Sequence, residues 1–139
     1  MTTLPVMRPH HGAMSVPDLD ASIDWYARVL EFTVEKRFEI PGQDTQVAML
    51  NRGDLRVELF EATGSQPSHS DRRDPDLDFR TQGNLHFAFV VPDVHAFAAL
   101  VASRGADVVW VRDFDFGSTA FIRDNAGNLI EFVEQEGTI

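Results

Sequence analysis

The chain has no cysteine among its 139 residues. Disulfides and thiolate metal sites are therefore excluded, and a reducing compartment fits. No apolar run approaches the roughly 18 residues that a membrane-spanning helix needs. The opening MTTLPVMRP lacks the apolar stretch of a signal peptide, so a cytoplasmic protein is expected. Basic residues are few: 12 Lys and Arg stand against 22 Asp and Glu, giving a formal net charge of −10. So acidic a chain repels nucleic acid and anionic membranes, and neither is expected as a partner. The same charge keeps a protein soluble and attracts cations, either a metal ion or a basic small molecule. Gly-rich phosphate loops and a nucleophile elbow are also missing, which excludes the common nucleotide-binding and serine-hydrolase classes.

What remains suits one domain, since 43% of the residues are hydrophobic, enough for a sizeable core. Its most informative feature is a repeat. HGAMSVPD, beginning at His11, returns as HFAFVVPD, beginning at His86, an offset of 75. That period is too long for a solenoid unit and points to a duplicated module of about half the chain.

Each copy has the same plan. GAMSV reads as a short strand stopped by Pro17, and Asp18 is a helix N-cap. Leu19, Ile23, Tyr26 and Leu30 recur at helical spacing, which predicts an amphipathic helix over 19–30 with Tyr26 and its neighbour Trp25 in the core. FTVEKRFEI, TQVAMLN and LRVELFE follow as strands, with Gly53 in the hairpin turn between the last two. In the second copy LHFAFVV is the strand and Asp93 the N-cap. Val94, Phe97, Leu100 and Val101 form the helical stripe, and Gly105 caps it. ADVVWV, STAFIRD and NLIEFVE complete the set, with a turn at Asp124–Gly127. Residues 62–84 are polar and poor in aliphatics, and read as a crossover linker able to act as a lid. The expected organisation is a single α+β domain over 1–139, made of a module at 10–61, the linker 62–84 and a module at 85–135.

A second coincidence concerns chemistry. LRVELFE carries Glu58 and NLIEFVE carries Glu131, an offset of 73. Strand side chains alternate faces, so Glu131 shares its face with Leu129 and Val133. A carboxylate buried there costs several kcal/mol or more unless it meets a proton, a cation or a metal. Two similar modules packed about an approximate two-fold axis can bring His11, Glu58, His86 and Glu131 to one point. Two imidazoles and two carboxylates suit a divalent first-row ion such as Zn, Ni, Co, Mn or Fe. Ala13 and Ser15 beside His11, and Ala88 beside His86, are small enough to leave room for substrate. Arg56, on the strand face of Glu58, can anchor an anionic group or serve as a surface ion pair. His10, adjacent to His11, is expected to face the other way. His69 in the linker and His95 on the helix are expected to be solvated.

These phrases, together with GDLRVELFE and FIRDNAGNLIEFVE, resemble the vicinal oxygen chelate superfamily, which includes glyoxalase I, methylmalonyl-CoA epimerase, extradiol dioxygenases and the bleomycin-resistance proteins. The ligand pattern is most similar to the epimerase and glyoxalase I types. The resemblance implies paired βαβββ modules forming a curved, mostly antiparallel sheet cup with helices outside. It implies one divalent metal ion held by His11, Glu58, His86 and Glu131. It further implies that a coordinating carboxylate moves protons, Glu131 first and Glu58 second. The implied activity is a metal-dependent isomerase or epimerase acting by proton transfer next to a carbonyl on a small oxygen-chelating substrate, in a homodimer. A glyoxalase-like lyase, an extradiol dioxygenase and a non-catalytic drug-sequestering protein are the alternatives. Two departures argue against a glutathione substrate: Ser15 stands where bacterial glyoxalase I has Arg, and the interval from Glu58 to His86 is of the longer, epimerase kind. Glu31 stands where many relatives have glycine, at a position following a helix that calls for positive φ.

Overall fold

The computed structural model describes residues 2–134, so the last residue expected in the second module, 135, lies outside the described residues. The first half contains strand β1 (Gly12–Ser15), helix α1 (Leu19–Leu30) and strands β2 (Thr33–Ile40), β3 (Thr45–Arg52) and β4 (Leu55–Ala62). The second contains β5 (Phe87–Val90), α2 (Val94–Ser103), β6 (Asp107–Phe114), β7 (Gly117–Arg123) and β8 (Leu129–Val133). Each half is thus βαβββ, and each forms a four-stranded sheet, in the orders β1-β4-β3-β2 and β5-β8-β7-β6. The first strand of each half pairs in parallel with the last, and the other pairings are antiparallel.

The predicted helix over 19–30 is observed with those bounds, and the reasons are local. Asp18 is extended and its carboxylate accepts from the Ala21 amide, satisfying one of the free N–H groups of the first turn. Asp93 does the same for Ala96 in the second copy. At the other end of α1, Glu31 closes the helix at φ 61 and ψ 31, the left-handed conformation in which glycine is unstrained. Its carboxylate is held by Arg52 and Arg104, at 3.1 Å each.

Both halves contribute to one core. Val57 and Leu59 of β4, Ala48 and Leu50 of β3, Trp25 and Tyr26 of α1, and Ile130 and Phe132 of β8 all belong to a single buried cluster. Where the halves meet, Gly12 lies against Phe87. A Cβ at Gly12 would stand 2.7 Å from Phe87 Cδ1, closer than any real packing allows. The core-facing sides of β1 and β5 are thereby turned toward each other. Because strand side chains alternate, the opposite face of each sheet points away from this shared core. Val47, Met49, Phe121 and Leu129 are buried hydrophobics that stand outside it, on those outer faces.

The linker is neither a domain nor free chain. It forms two single turns of 3-10 helix, Ser70–Arg73 and Asp78–Arg80. They are pinned by Arg72, which donates to the buried Asp78 carboxylate at 3.0 Å and to the carbonyls of Gln82 and Asn84.

Candidate functional site

The repeated phrase produces a repeated geometry. His11 and His86 each stand one residue before a strand, β1 and β5. In the first half Ala13 is the register partner of Glu58, and in the second Ala88 is the register partner of Glu131. Each glutamate therefore sits opposite the alanine two places after its histidine, on the outer sheet face. Nε2 of His11 lies 3.4 Å from Oε1 of Glu58, and Nε2 of His86 lies 3.3 Å from Oε1 of Glu131. All four side chains are partly exposed, between 15% and 32%. None is sealed in the core, so the burial argued for Glu131 from its apolar strand is only partial.

One chain does not bring the two pairs together. Among the described residues no three acidic or imidazole side chains are close enough to share an ion. The reason lies in the packing: both glutamates point away from a core that lies between the two sheets. Each pair nevertheless suits a metal. Two donors bound to one ion at about 2.1 Å stand roughly 3.0–3.4 Å apart, depending on coordination geometry. The two observed spacings fall in that range, and imidazole plus carboxylate is a donor set for a first-row divalent ion.

The surroundings differ between the halves. On the outer face of the second sheet, the register places Thr119 opposite Val133, Phe121 opposite Glu131, and Arg123 opposite Leu129. Trp110 and Arg112 of β6 join that face through Phe121 and Thr119. The His86 ring meets Phe121 edge-on at 4.8 Å, and Trp110 meets Phe121 at 5.0 Å. The Arg112 guanidinium lies 4.0 Å above the Trp110 ring and grips Asp76 of the linker through two 2.8 Å bonds. Arg123 donates to the Arg73 carbonyl at 2.7 Å. The linker from 73 to 76 is thus strapped across the outer face beside Glu131, which explains how Phe121 and Leu129 are buried there.

Of the expected substrate residues, Ser15 and Ala88 stay exposed on the outer faces, while Arg56 is engaged by Glu35 at 3.3 Å. A cleft of about 480 Å³ runs between β1, the linker and His86. A second compartment of about 290 Å³ adjoins it, sharing Ser15, Ser68 and Asn128.

Sequence reasoning missed three features. His10 turns back on His11, their Nδ1 atoms sharing a hydrogen bond of 2.6 Å. Alternation does not govern His10, because β1 starts only at Gly12. When His11 Nδ1 is the donor in this bond, its Nε2 is left with a free lone pair for a metal. The Trp110–Arg112–Asp76 stack was also missed, since no local pattern links residues 36 apart in sequence. So was the Trp110 indole N–H, which is buried without a hydrogen-bond partner among the described residues. The remaining histidines lie at the surface as expected. His69 is 72% exposed, and His95 is 58% exposed and bonded to Asp113, which raises its pKa.

A family model described as the glyoxalase/bleomycin resistance protein/dioxygenase superfamily matches residues 8–132. Among solved structures, a glyoxalase family protein from Enterococcus faecalis is 23% identical, with TM-score 0.77, covering 91% of this chain and 97% of its own. A glyoxylase/bleomycin resistance protein/dioxygenase domain from Frankia sp. EAN1pec is 24% identical, with TM-score 0.75 and 96% of both chains covered. The trypanothione-dependent glyoxalase I of Leishmania major is 22% identical, with TM-score 0.72, covering 94% and 88%. No protein of curated function matches the sequence.

Proposed function

The chain belongs to the glyoxalase/bleomycin resistance protein/dioxygenase superfamily, and from that premise we propose that it is a divalent-metal-dependent isomerase or epimerase whose sites are shared between two copies of the chain. One observation carries this reading: the His–Glu pair occurs twice, in the same register, with nearly the same Nε2–Oε1 spacing. Two unrelated surface pairs have no reason to repeat both residue types and both spacings.

A homodimer follows from the direction in which the pairs face. His11 and Glu58 of one copy would meet His86 and Glu131 of the other, giving two equivalent four-ligand sites per dimer. The ion, when bound, supplies Lewis-acid polarisation of a substrate carbonyl. Glu131 then takes the proton from the neighbouring carbon. Its wall is the more developed one, with the larger cleft at His86 and the aromatic pair Phe121 and Trp110 to exclude water. Inverting a carbon centre requires removal of a proton from one face and delivery of a proton to the other. Glu58, arriving on the opposite wall and entering the turnover protonated, would supply a proton of its own there while Glu131 keeps the one it took. His86, braced by Phe121, and His11, braced by His10, would hold the ion together with the two carboxylates, each of which has a second oxygen for the proton.

The test is metal analysis of the purified dimer, followed by deuterium uptake from heavy water into 2-hydroxycarbonyl and malonyl-type compounds. One ion per chain is expected, with deuterium entering next to the carbonyl and Glu131→Gln abolishing the exchange. A protein that takes up no divalent ion, or that binds a compound tightly and unchanged without one, sinks the proposal.

A further inference from the structure

The cleft between the linker and the turn before β8 has a composition unlike the rest of the chain. Acidic residues make up 22 of the 139, yet neither compartment of the cleft is lined by a single Asp or Glu. The polar residues of its smaller compartment are instead three serines, Gln66, Asn128 and Arg73, set among Val16, two prolines and Ala126. Arg73 has no acidic partner among the described residues; Arg8 and Arg80 also lack one but do not line the cleft, whereas the other eight arginines are paired.

The guanidinium has a prepared seat. A Cβ at Gly127 would lie 2.8 Å from Arg73 Nε and 3.0 Å from Cζ. The side chain thus lies flat on a backbone that only glycine leaves bare, at φ +89. Asn128, the next residue, is fixed by donating to Asp124 at 3.0 Å. The hydroxyls of Ser15, Ser65 and Ser68 make no hydrogen bond among the described residues, so they remain available to a ligand.

We propose that this compartment is a carboxylate subsite: Arg73 holds the acidic tail of the substrate, Ser15, Ser65 and Ser68 donate to it, and the rest of the molecule runs through the larger compartment to His86. The charge count selects the ligand class. One uncompensated guanidinium neutralises a monoanion, and its planar fork matches the two oxygens of a carboxylate. A phosphate dianion would keep one unbalanced charge in a chain that already carries −10. The reacting end of the substrate rests on the metal-site reading above, but the subsite itself does not, because it can be tested in metal-free protein.

The experiment is a titration of metal-free, nitrogen-15-labelled protein with propionate, a monoanion, followed by NMR at the amides of Ser65, Ser68 and Gly127 and at the Arg73 Nε–H. Propionamide and inorganic phosphate serve as controls. The expected result is saturable shifts with propionate and none with propionamide. Affinity should fall at least tenfold in Arg73→Gln and less in Arg73→Lys, which keeps the charge but loses the fork. Both variants change an exposed side chain and leave the backbone bond from Arg123 in place. The proposal is overturned if propionate gives no saturable shift, if Arg73→Gln binds it as well as the parent, or if phosphate binds more than tenfold tighter. Metal content measured on the same variants should not change, so failure of the subsite and failure of the metal site are read separately.

Discussion

Tyr26, on α1, donates its hydroxyl to the carboxylate of Asp124 at 2.8 Å, across 98 residues of sequence. Both groups are buried, and the bond joins the first half's helix to the turn that leads into β8. Asp124 also accepts from the amides of Ala126 and Asn128 and from the Asn128 side chain, so one carboxylate shapes the whole turn. The strand that carries Glu131 is thereby positioned from the other half of the molecule. The Met14 sulfur, at 3.2 Å, completes the surroundings of the Tyr26 hydroxyl.

Tyr26→Phe tests this link. Loss of a buried hydrogen bond to a charged acceptor should cost about 1.5–3 kcal/mol, measured by urea unfolding near neutral pH. There is a pH signature as well. Burial, and then the Asp124 carboxylate, hold the Tyr26 pKa well above its ordinary value of 10.0. A raised pKa favours the protonated form in the folded state. The stabilisation is therefore complete below about pH 10 and is lost as pH rises toward the folded-state value. Tyr26 is the chain's sole tyrosine, so tyrosinate absorbance reports it directly. At pH 10 the urea-unfolded chain should be about half ionised and the folded protein hardly at all. Equal ionisation in both states would remove Tyr26 from the interior.

Gly12→Ala probes the seam between the halves. The added methyl meets the Phe87 ring, which is itself packed on Phe89 at 5.3 Å, so the ring has little room to yield. Overpacking of this kind should lower stability by about 1–3 kcal/mol. Combining it with Phe87→Leu should recover part of the loss, and a chemical-denaturation cycle on the four proteins measures that coupling.

The linker strap has its own signature. Arg112 lowers the Asp76 pKa, chiefly through their hydrogen bonds. The latch therefore contributes above the ordinary carboxylate value of 3.8 and weakens as pH falls through the lower folded-state value. Asp76→Asn removes the charge at every pH. Amides of residues 73–80 should then exchange hydrogen several-fold faster at neutral pH, while the β3 and β4 amides stay unchanged. Unaltered exchange in the linker would show that Arg112 does not hold it.

The local structure was legible because its causes are local. The caps Asp18 and Asp93, the stripe from Leu19 to Leu30, and the turns at Gly53 and Gly127 each depend on residues a few places apart. The strand prediction at the second repeat was longer than the strand observed: LHFAFVV was expected, while β5 covers Phe87–Val90. His86 therefore stands ahead of the strand, as His11 does ahead of β1. Pairing within each half was also readable, since the offset of the glutamates nearly equals that of the histidines. The direction in which the two halves face each other was not. It depends on the Gly12–Phe87 and Tyr26–Asp124 contacts, which join distant residues and leave no periodic trace. The four candidate ligands thus read as one cluster in the sequence, but occur as two pairs on outward faces of one chain. Arg73 left no signal either, because its lack of an acidic partner among the described residues is recognised only by knowing where the acids are.

The outward-facing pairs allow a test that separates shared sites from sites within one chain. One variant carries His11→Ala and Glu58→Gln; the other carries His86→Ala and Glu131→Gln. If each ion is held by the first pair of one copy and the second pair of the other, neither homodimer keeps a complete site. In a mixed dimer one site loses all four ligands and the other keeps all four. Unfolding and refolding the two variants together should therefore restore metal to half the sites of each mixed dimer, together with the matching fraction of activity. If four ligands came from one chain, every chain in the mixture would still be damaged and nothing would return. Two of four donors leave an ion weakly held: if removal of one supporting partner costs about 10–100-fold in affinity, loss of two ligands should cost at least about 10²–10⁴-fold, which equilibrium dialysis against a competing chelator distinguishes.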